Sequence, residues 1–330
     1  MSVIQVRPAT LRDAKAIAEI HVAASQDAYK SLLPAAAQSL VASQVGTWRQ
    51  RMGVVPQKAE DAIGLSPWFR YYYHTGDVNP GHVAANFNQG GNFAFEQTSR
   101  GWELGLNASI QQTGINVGIL FGRGKASQHL TGDGIGTDHL DSNTVGLYAT
   151  WLAKNGMYLD VSHRWTDFNA DMFARDGLYA THGYANAFNV EFGYPFVLGS
   201  GFTIEPQAQY TRTKVEGIDP IRGAEGNFVN HDGESERGRL GVAFHQSFDS
   251  GNWVLTPYAA ISAIREFEGK YTYSISDFHG GTDTSGTSAM AEFGFGARIN
   301  AFSVTAGASW TDGGSIDNAI GGQVVLRYDW

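Results

Sequence analysis

The chain has no cysteine, so neither disulfides nor thiolate metal sites can hold it together. Charge is sparse as well: Asp, Glu, Lys and Arg make up 17% of the 330 residues, against ~25% in ordinary soluble domains. No uncharged apolar run approaches the ~18 residues of a membrane-spanning helix, and mean hydropathy is −0.23, which excludes a bundle of transmembrane helices. Lys and Arg form no block and the net charge is −9, which argues against a nucleic-acid partner. Glycine is abundant, 41 residues where average usage is ~7%, and aromatics reach 12%. A chain this aromatic and this weakly charged can bury surface, so disorder is excluded. What survives is a large β architecture, soluble or membrane-embedded.

Composition changes near residue 55. The first 55 residues carry six Lys or Arg against three acids, net +3, and leave 17 against 29, net −12, for the remainder. Residues 3–6 read as a short strand. A helix follows, with Thr10 at the N-cap position and Leu11, Ala14, Ile17, Ala18 and Val22 on one apolar face. This stretch, VIQVRPATLRDAKAIAEIHVAASQDAYKSLLP, resembles the opening strand and helices of the GNAT acetyltransferases, over residues 1–34 only. The Gln/Arg-x-x-Gly-x-Gly/Ala loop that binds the acetyl-CoA pyrophosphate in that family does not follow. The segment therefore reads as an incomplete acetyltransferase start without activity, or as an unrelated amphipathic helix. A second helix is expected over residues 36–53, inside a linker region 35–66: Ala37, Val41, Val45, Trp48 and Met52 share one face, and small residues fill most other positions. Gly53 and Pro56 end it.

Beyond residue 66 the pattern has period 2. Twelve strands are expected, at about 67–75, 101–110, 114–123, 144–152, 157–168, 184–196, 202–213, 237–248, 253–264, 289–298, 301–310 and 321–330. Most have the ~9–11 residues with which a tilted strand crosses a bilayer. One face is apolar and free of ionised side chains, for example Trp102, Leu104, Leu106 and Ala108, or Ala291, Phe293, Phe295 and Ala297. The other holds polar residues (Glu103, Asn107, Tyr158, Asp160, Arg164, Glu191, Glu205, Gln207, Gln209, Arg239, Glu292) and many glycines. That is the apolar-out, polar-in pattern of a transmembrane barrel. Connections of two to five residues alternate with connections of ten to about 25, as expected for short periplasmic turns and long external loops. A soluble sandwich would alternate too, but gives no reason for the loop alternation or for ionised groups on the second face. The expected fold is an all-β, 12-stranded antiparallel transmembrane barrel over 67–330, with a pore-spanning helix and a short α/β fragment before it.

The last ten residues, Gly321 to Trp330, place Val324, Leu326, Tyr328 and Trp330 on one face. This end resembles the C-terminal signal by which outer-membrane barrels are recognised for assembly, a strand edge read by its alternate side chains. Together with Pro67-Trp68-Phe69-Arg70, the segment from Gly101 to Asn107, that from Asn143 to Trp151, Leu255-Thr-Pro-Tyr258 and the Tyr328–Trp330 end, residues 36–330 resemble the β-domain of the type V secretion autotransporters. The resemblance implies a helix inside the barrel, here residues 36–53, leading to an N-terminal passenger at the cell surface. It implies as partners the outer-membrane bilayer, the barrel assembly machinery, periplasmic chaperones and the passenger, with no cofactor. Met1 to Arg7 lacks the basic start and apolar run of a secretory signal, and no passenger precedes the helix. A truncated or fused gene product is the expectation.

Catalytic motifs are missing: there is no H-x-x-x-H, G-x-S-x-G or D-x-D-x-D-G. Asp138-His139 and His231-Asp232 are the pairs from which a hydrolase site on the external loops could be built, and Thr131 to Asp138 has the wrong ligand spacing for an EF-hand. Strand parity places Asp160, Arg164, Glu205, Arg239 and Glu292 in the lumen as a charge network gripping the helix. A translocator without catalysis is the leading expectation; an acetyltransferase remnant, a rim hydrolase and an inert fusion are the others.

Overall fold

The computed structural model describes residues 63–82, 94–110, 113–131, 136–174, 177–223, 226–230, 233–275 and 278–329. The GNAT-like stretch, the 36–53 helix, Trp330 and the His231-Asp232 pair lie outside the described residues.

Twelve long strands form the wall: β1 Ile63–Val78, β2 Phe95–Ile110, β3 Ile115–Leu130, β4 Gly136–Leu152, β5 Tyr158–Ala174, β6 Gly177–Gly193, β7 Phe202–Glu216, β8 Gly233–Gln246, β9 Trp253–Glu268, β10 Gly286–Ile299, β11 Phe302–Gly313 and β12 Ile316–Tyr328. Each pairs antiparallel with the next. β12 returns to β1, Phe69 opposite Leu326 and Tyr71 opposite Val324, so the sheet closes on itself. Side chains expected to face lipid do point outward: Leu104 is 49% exposed, Ile119 57% and Phe293 64%, while Glu103, Leu120 and Glu292 beside them are buried. On β2 the outward apolar run spans Trp102 to Ile110. Nine residues at ~3.3 Å each, tilted ~40°, rise about 23 Å, close to the ~25 Å apolar band of outer-membrane barrels.

The count of twelve agrees with the sequence, but the expected long loops 124–143, 169–183 and 311–320 are mostly strand. β3 runs on to Leu130 and β4 begins at Gly136; β5 reaches Ala174 and β6 begins at Gly177; β11 reaches Gly313 and β12 begins at Ile316. The alternation persists there with its polarity changed. Outward positions pass from Ile119 and Phe121 to Arg123 and Lys125, and from Trp165 to Asp167, Asn169 and Asp171, because these ends stand in water. β1 likewise starts at Ile63, four residues before the expected boundary.

The inward face of these extensions becomes apolar. Ala126, Leu140, Phe168, Ala170, Met172, Ala185, Ala187 and Val215 form one cluster with Ile218 and Tyr273, Phe168 and Val215 being fully buried. Tyr273 comes from a second sheet built by the remaining long connections, in the order Ile221–Gly223, Gly226–Asn230, Lys270–Ile275, Phe278–Asp283, Gly81–His82. Beyond the apolar band, the end of the β3–β7 wall is thus a small core capped by that sheet.

Aromatic rings on the lumen wall lie across glycines of neighbouring strands. A Cβ at Gly105 would collide with the Trp68 ring, and one at Gly118 with the ring of Tyr148. Trp68 and Tyr148 meet above β2 and β3, the indole Nε1–H donating to the Tyr148 hydroxyl at 2.7 Å. Gly118→Val is expected to displace Tyr148 and lower stability by about 1–3 kcal/mol, whereas Gly199→Ala, with open space around it, leaves it unchanged; urea titration of the heat-modifiable band on gels reads both.

Asp138 lies on the inward face of the β4 extension, in register with Gln128 and Met172 and only 4% exposed. Burial pushes its carboxyl up to about 7. The folded state then holds the proton more tightly than the unfolded chain, so this group's contribution is fullest below the ordinary carboxylate range and fades as pH rises towards about 7. The urea midpoint should therefore fall between pH 5 and pH 8 by more in the native chain than in Asp138→Asn; equal falls would show that Asp138 is not the titrating group.

Candidate functional site in the barrel lumen

Below the apolar core the lumen wall is polar and held by two buried ionic groups. In the first, Glu103 of β2 receives Arg164 of β5 on one carboxylate oxygen and lies 3.4 Å from Arg70 Nη1 of β1 on the other. The Arg70 guanidinium also sits 5.2 Å over the Tyr72 ring. This triad spans five strands, and glycines make the span possible. Gly122 of β3 lies under the Glu103 side chain and Gly146 of β4 under that of Arg164, with 3.0 and 3.2 Å to a hypothetical Cβ. Any larger inward residue there would stand between the two charges.

The second group centres on Arg239 of β8. Its Nη2 lies 3.2 Å from Glu191 Oε2, its Nε donates to Gln209 at 2.9 Å, and its Nη1 donates to Gln207 and Ser262 at 3.2 and 3.3 Å. Tyr158 donates to the other Glu191 oxygen at 2.8 Å. Gln207 donates in turn to Glu205 at 2.8 Å, and His245 Nε2 lies 3.8 Å from the second Glu205 oxygen. A third, smaller group sits at the seam, where Ser66 of β1 and Arg327 of β12 both donate to Asp329 Oδ1 at 2.6 Å.

The five charges read from parity therefore divide. Arg164 joins Glu103 and Arg70, while Arg239 joins Glu191 and reaches Glu205 through Gln207. Asp160 accepts from Thr150, and Glu292 is buried on β10. Sequence reasoning had Glu103, Glu191 and Tyr158 on the inward face without assigning them as partners; Arg70 carried no signal beyond its place in the opening strand. Of the residues expected to form an assembly signal, Val324, Leu326 and Tyr328 lie on the outward face of β12.

An open cavity of about 190 Å³ runs along the opposite wall, lined among others by His74, Ser99, Arg237, Ile264, Glu266 and Ser288. Arg237 donates to Glu266 at 3.0 Å, and Ser235 donates to it at 2.6 Å. The Asp138-His139 pair does not form a rim site, because its members are strand neighbours on opposite faces, Asp138 buried and His139 exposed. Among the described residues no group of three or more His, Asp or Glu is placed to hold a metal ion.

A closed twelve-stranded barrel with an apolar outer band and a hydrogen-bonded ionic lumen is the architecture of a transmembrane β-barrel. Residues 67–309 match the family model for the autotransporter beta-domain, and the chain belongs to that family. It is 33% identical over 216 residues to the pertactin autotransporter of Bordetella bronchiseptica, covering 62% of this chain and 23% of the relative. With the BrkA autotransporter of Bordetella pertussis it shares 27% identity over 239 residues, 70% of this chain and 22% of the relative. The chain thus spans less than a quarter of the length of these relatives. Among solved structures, the BrkA β-domain aligns with TM-score 0.64 at 23% identity, over 82% of this chain and all of that one. The translocator domain of NalP from Neisseria meningitidis aligns at 0.63 and 14% identity, over 88% and 97%. These two likenesses speak to the fold.

Replacing Glu103 by Gln would leave Arg70 and Arg164 buried together without the carboxylate they share. The expected loss is roughly 3 kcal/mol of stability, read as a lower urea midpoint in refolded barrels; an unchanged midpoint would show the triad to be solvated.

Proposed function

We propose that this barrel anchors and passes an N-terminal passenger across the outer membrane, without catalysis of its own. The observation that carries the reading is the lumen wall: its charges are tied to one another, Glu103 to Arg164 across glycine shelves and Arg239 to Glu191 across β7, which gives a polar passage with no convergent nucleophile, base and oxyanion donor among the described residues. In this reading residues 35–66 form the linker and pore helix, 36–53 lie in the lumen against walls bearing Asp160, Arg164, Glu205, Arg239 and Glu292, and 1–34 are a separate fragment. The bilayer contacts the outward apolar band. The assembly machinery reads Val324, Leu326, Tyr328 and Trp330 on the last strand, and periplasmic chaperones keep the unfolded chain from aggregating.

The chain's freedom from cysteine makes the test direct. Ala42→Cys paired with Ser262→Cys in the lumen should form a disulfide-linked product in outer membranes from cells expressing the full chain. Ala42→Cys paired with an outward Ala259→Cys should form none. Equal linkage for both pairs, or linkage only to the outward position, would overturn the placement of residues 36–53 in the lumen.

A further inference from the structure

The apolar band ends on β2 and β3 at Trp102 and Phe121, whose rings lie 5.8 Å apart. Directly beyond them the outward face carries three cations. Arg100 stands opposite Lys125, and Arg123 stands opposite Trp102, two residues from Lys125 on the same strand. Opposed side chains in a ladder have Cβ atoms about 5 Å apart, and diagonal or alternate ones about 7 Å. Three positive groups therefore share a patch a few ångströms across, all exposed. Like charges placed directly opposite destabilise a sheet.

Elsewhere at this level the outward cations have partners. Arg212 is paired with Glu234 and Glu236, Lys214 with Glu216, and Arg265 donates to Thr287. In the patch Lys125 pairs with Asp141 at 3.0 Å, both more than half exposed. Among the described residues no ion pair joins Arg100 or Arg123 to a carboxylate; Glu96 lies two outward positions further along β2. The patch also runs against the net charge of the chain, which is −9. Tyr71 and Tyr73 of β1 flank it, opposite Trp102 and Arg100 respectively, both exposed.

We propose that Arg100, Arg123 and Lys125 bind the phosphate of a phosphorylated lipid in the leaflet on the long-loop side, with its acyl chains lying on Trp102, Phe121, Leu104 and Ile119. Two features select a lipid over a soluble anion. The cations adjoin the apolar band, and the patch is an open surface in which a free phosphate would keep most of its water. Arginine forks give paired, charge-assisted hydrogen bonds to phosphate oxygens, and the aromatic rings mark the depth of the headgroup layer. The inference rests on the membrane reading of the barrel, and the folding readout below tests that separately.

The full chain is refolded in detergent micelles doped with diphosphorylated lipid A or with its dephosphorylated form, and retained lipid is measured by native mass spectrometry. Folding is followed by heat-modifiability on gels. The native barrel should retain the phosphorylated form. Arg100→Gln/Arg123→Gln should weaken retention about tenfold or more with the gel shift intact, and each single substitution should weaken it less. Arg212→Gln/Lys214→Gln, which removes cations already paired, should retain it as the native chain does. Equal retention of the dephosphorylated form, undiminished retention by the double and single variants, or displacement by millimolar sodium phosphate would each overturn the proposal. Loss of the gel shift in the native chain would instead overturn the barrel reading beneath it.

Discussion

Inside a bilayer no water is available to a backbone N–H or C=O, so each must be paired within the protein, and a sheet can meet that demand only by closing on itself. The pairing of β12 with β1 is therefore the contact on which the rest depends. Once the ladder is closed, successive side chains have two destinations, lipid or lumen, and the period of 2 assigns every residue to one of them. A one-residue slip at the seam would turn one of the two strands over, sending Phe69 and Tyr71 into the lumen and Arg70 into lipid, or Val324 and Leu326 into the lumen and Arg327 into lipid. The register is fixed from the inside too, because Ser66 and Arg327 share the Asp329 carboxylate across the two strands that meet last in sequence.

Glycine, abundant in this chain and a poor strand former by its own propensity, becomes intelligible on that closed wall. The inner surface of a curved sheet is crowded, and polar side chains must reach partners several strands away. Gly122 and Gly146 let Glu103 and Arg164 meet over β3 and β4; Gly105 and Gly118 do the same for Trp68 and Tyr148. Each glycine gives up strand propensity and packing on its own strand, and the bridging contact lies above its neighbours. Buried ion pairs of this kind seldom stabilise a protein more than an apolar replacement would. Their effect here is a lumen wall that is both packed and polar.

Strand number and facing were legible in the sequence because lipid imposes one rule on every outward residue over nine or so positions, and Leu104, Ile119, Val145 and Phe293 obey it. The ends of the strands were not. At Arg123 and Asp167 the outward face leaves lipid for water, polar side chains become permissible, and a run that continues as a strand takes on the composition of a loop. The lumen charges were half legible. Parity says that Arg164 and Glu205 face inward, but which charges meet across the barrel depends on curvature and on where glycines open a path, and neither has a local signature. Glu103 and Glu191 were thus visible as inward residues and invisible as partners.

A single strand can record where the membrane stops. On β5 the outward series runs Leu159, Val161, His163, Trp165 and then Asp167, Asn169, Asp171, while the inward series runs Asp160, Ser162, Arg164, Thr166 and then Phe168, Ala170, Met172. The apolar residues change from odd to even positions within about three residues, and β4 makes the same exchange, with Val145 and Leu147 outward in the band and Leu140 inward beyond it. Two solvents explain this. In lipid the apolar face must point out and the lumen stays polar; in water the same sheet behaves as an ordinary half-buried one, polar outward and apolar against a core. That core, closed by Tyr273 from the capping sheet, occupies the β3–β7 side, whereas the open cavity follows β1, β2 and β8 to β12. The exchange of parity therefore does more than mark a depth. It fills the β3–β7 half of this end of the barrel, and among the described residues the open cavity is left on the side of His74, Ser99 and the Arg237–Glu266 pair.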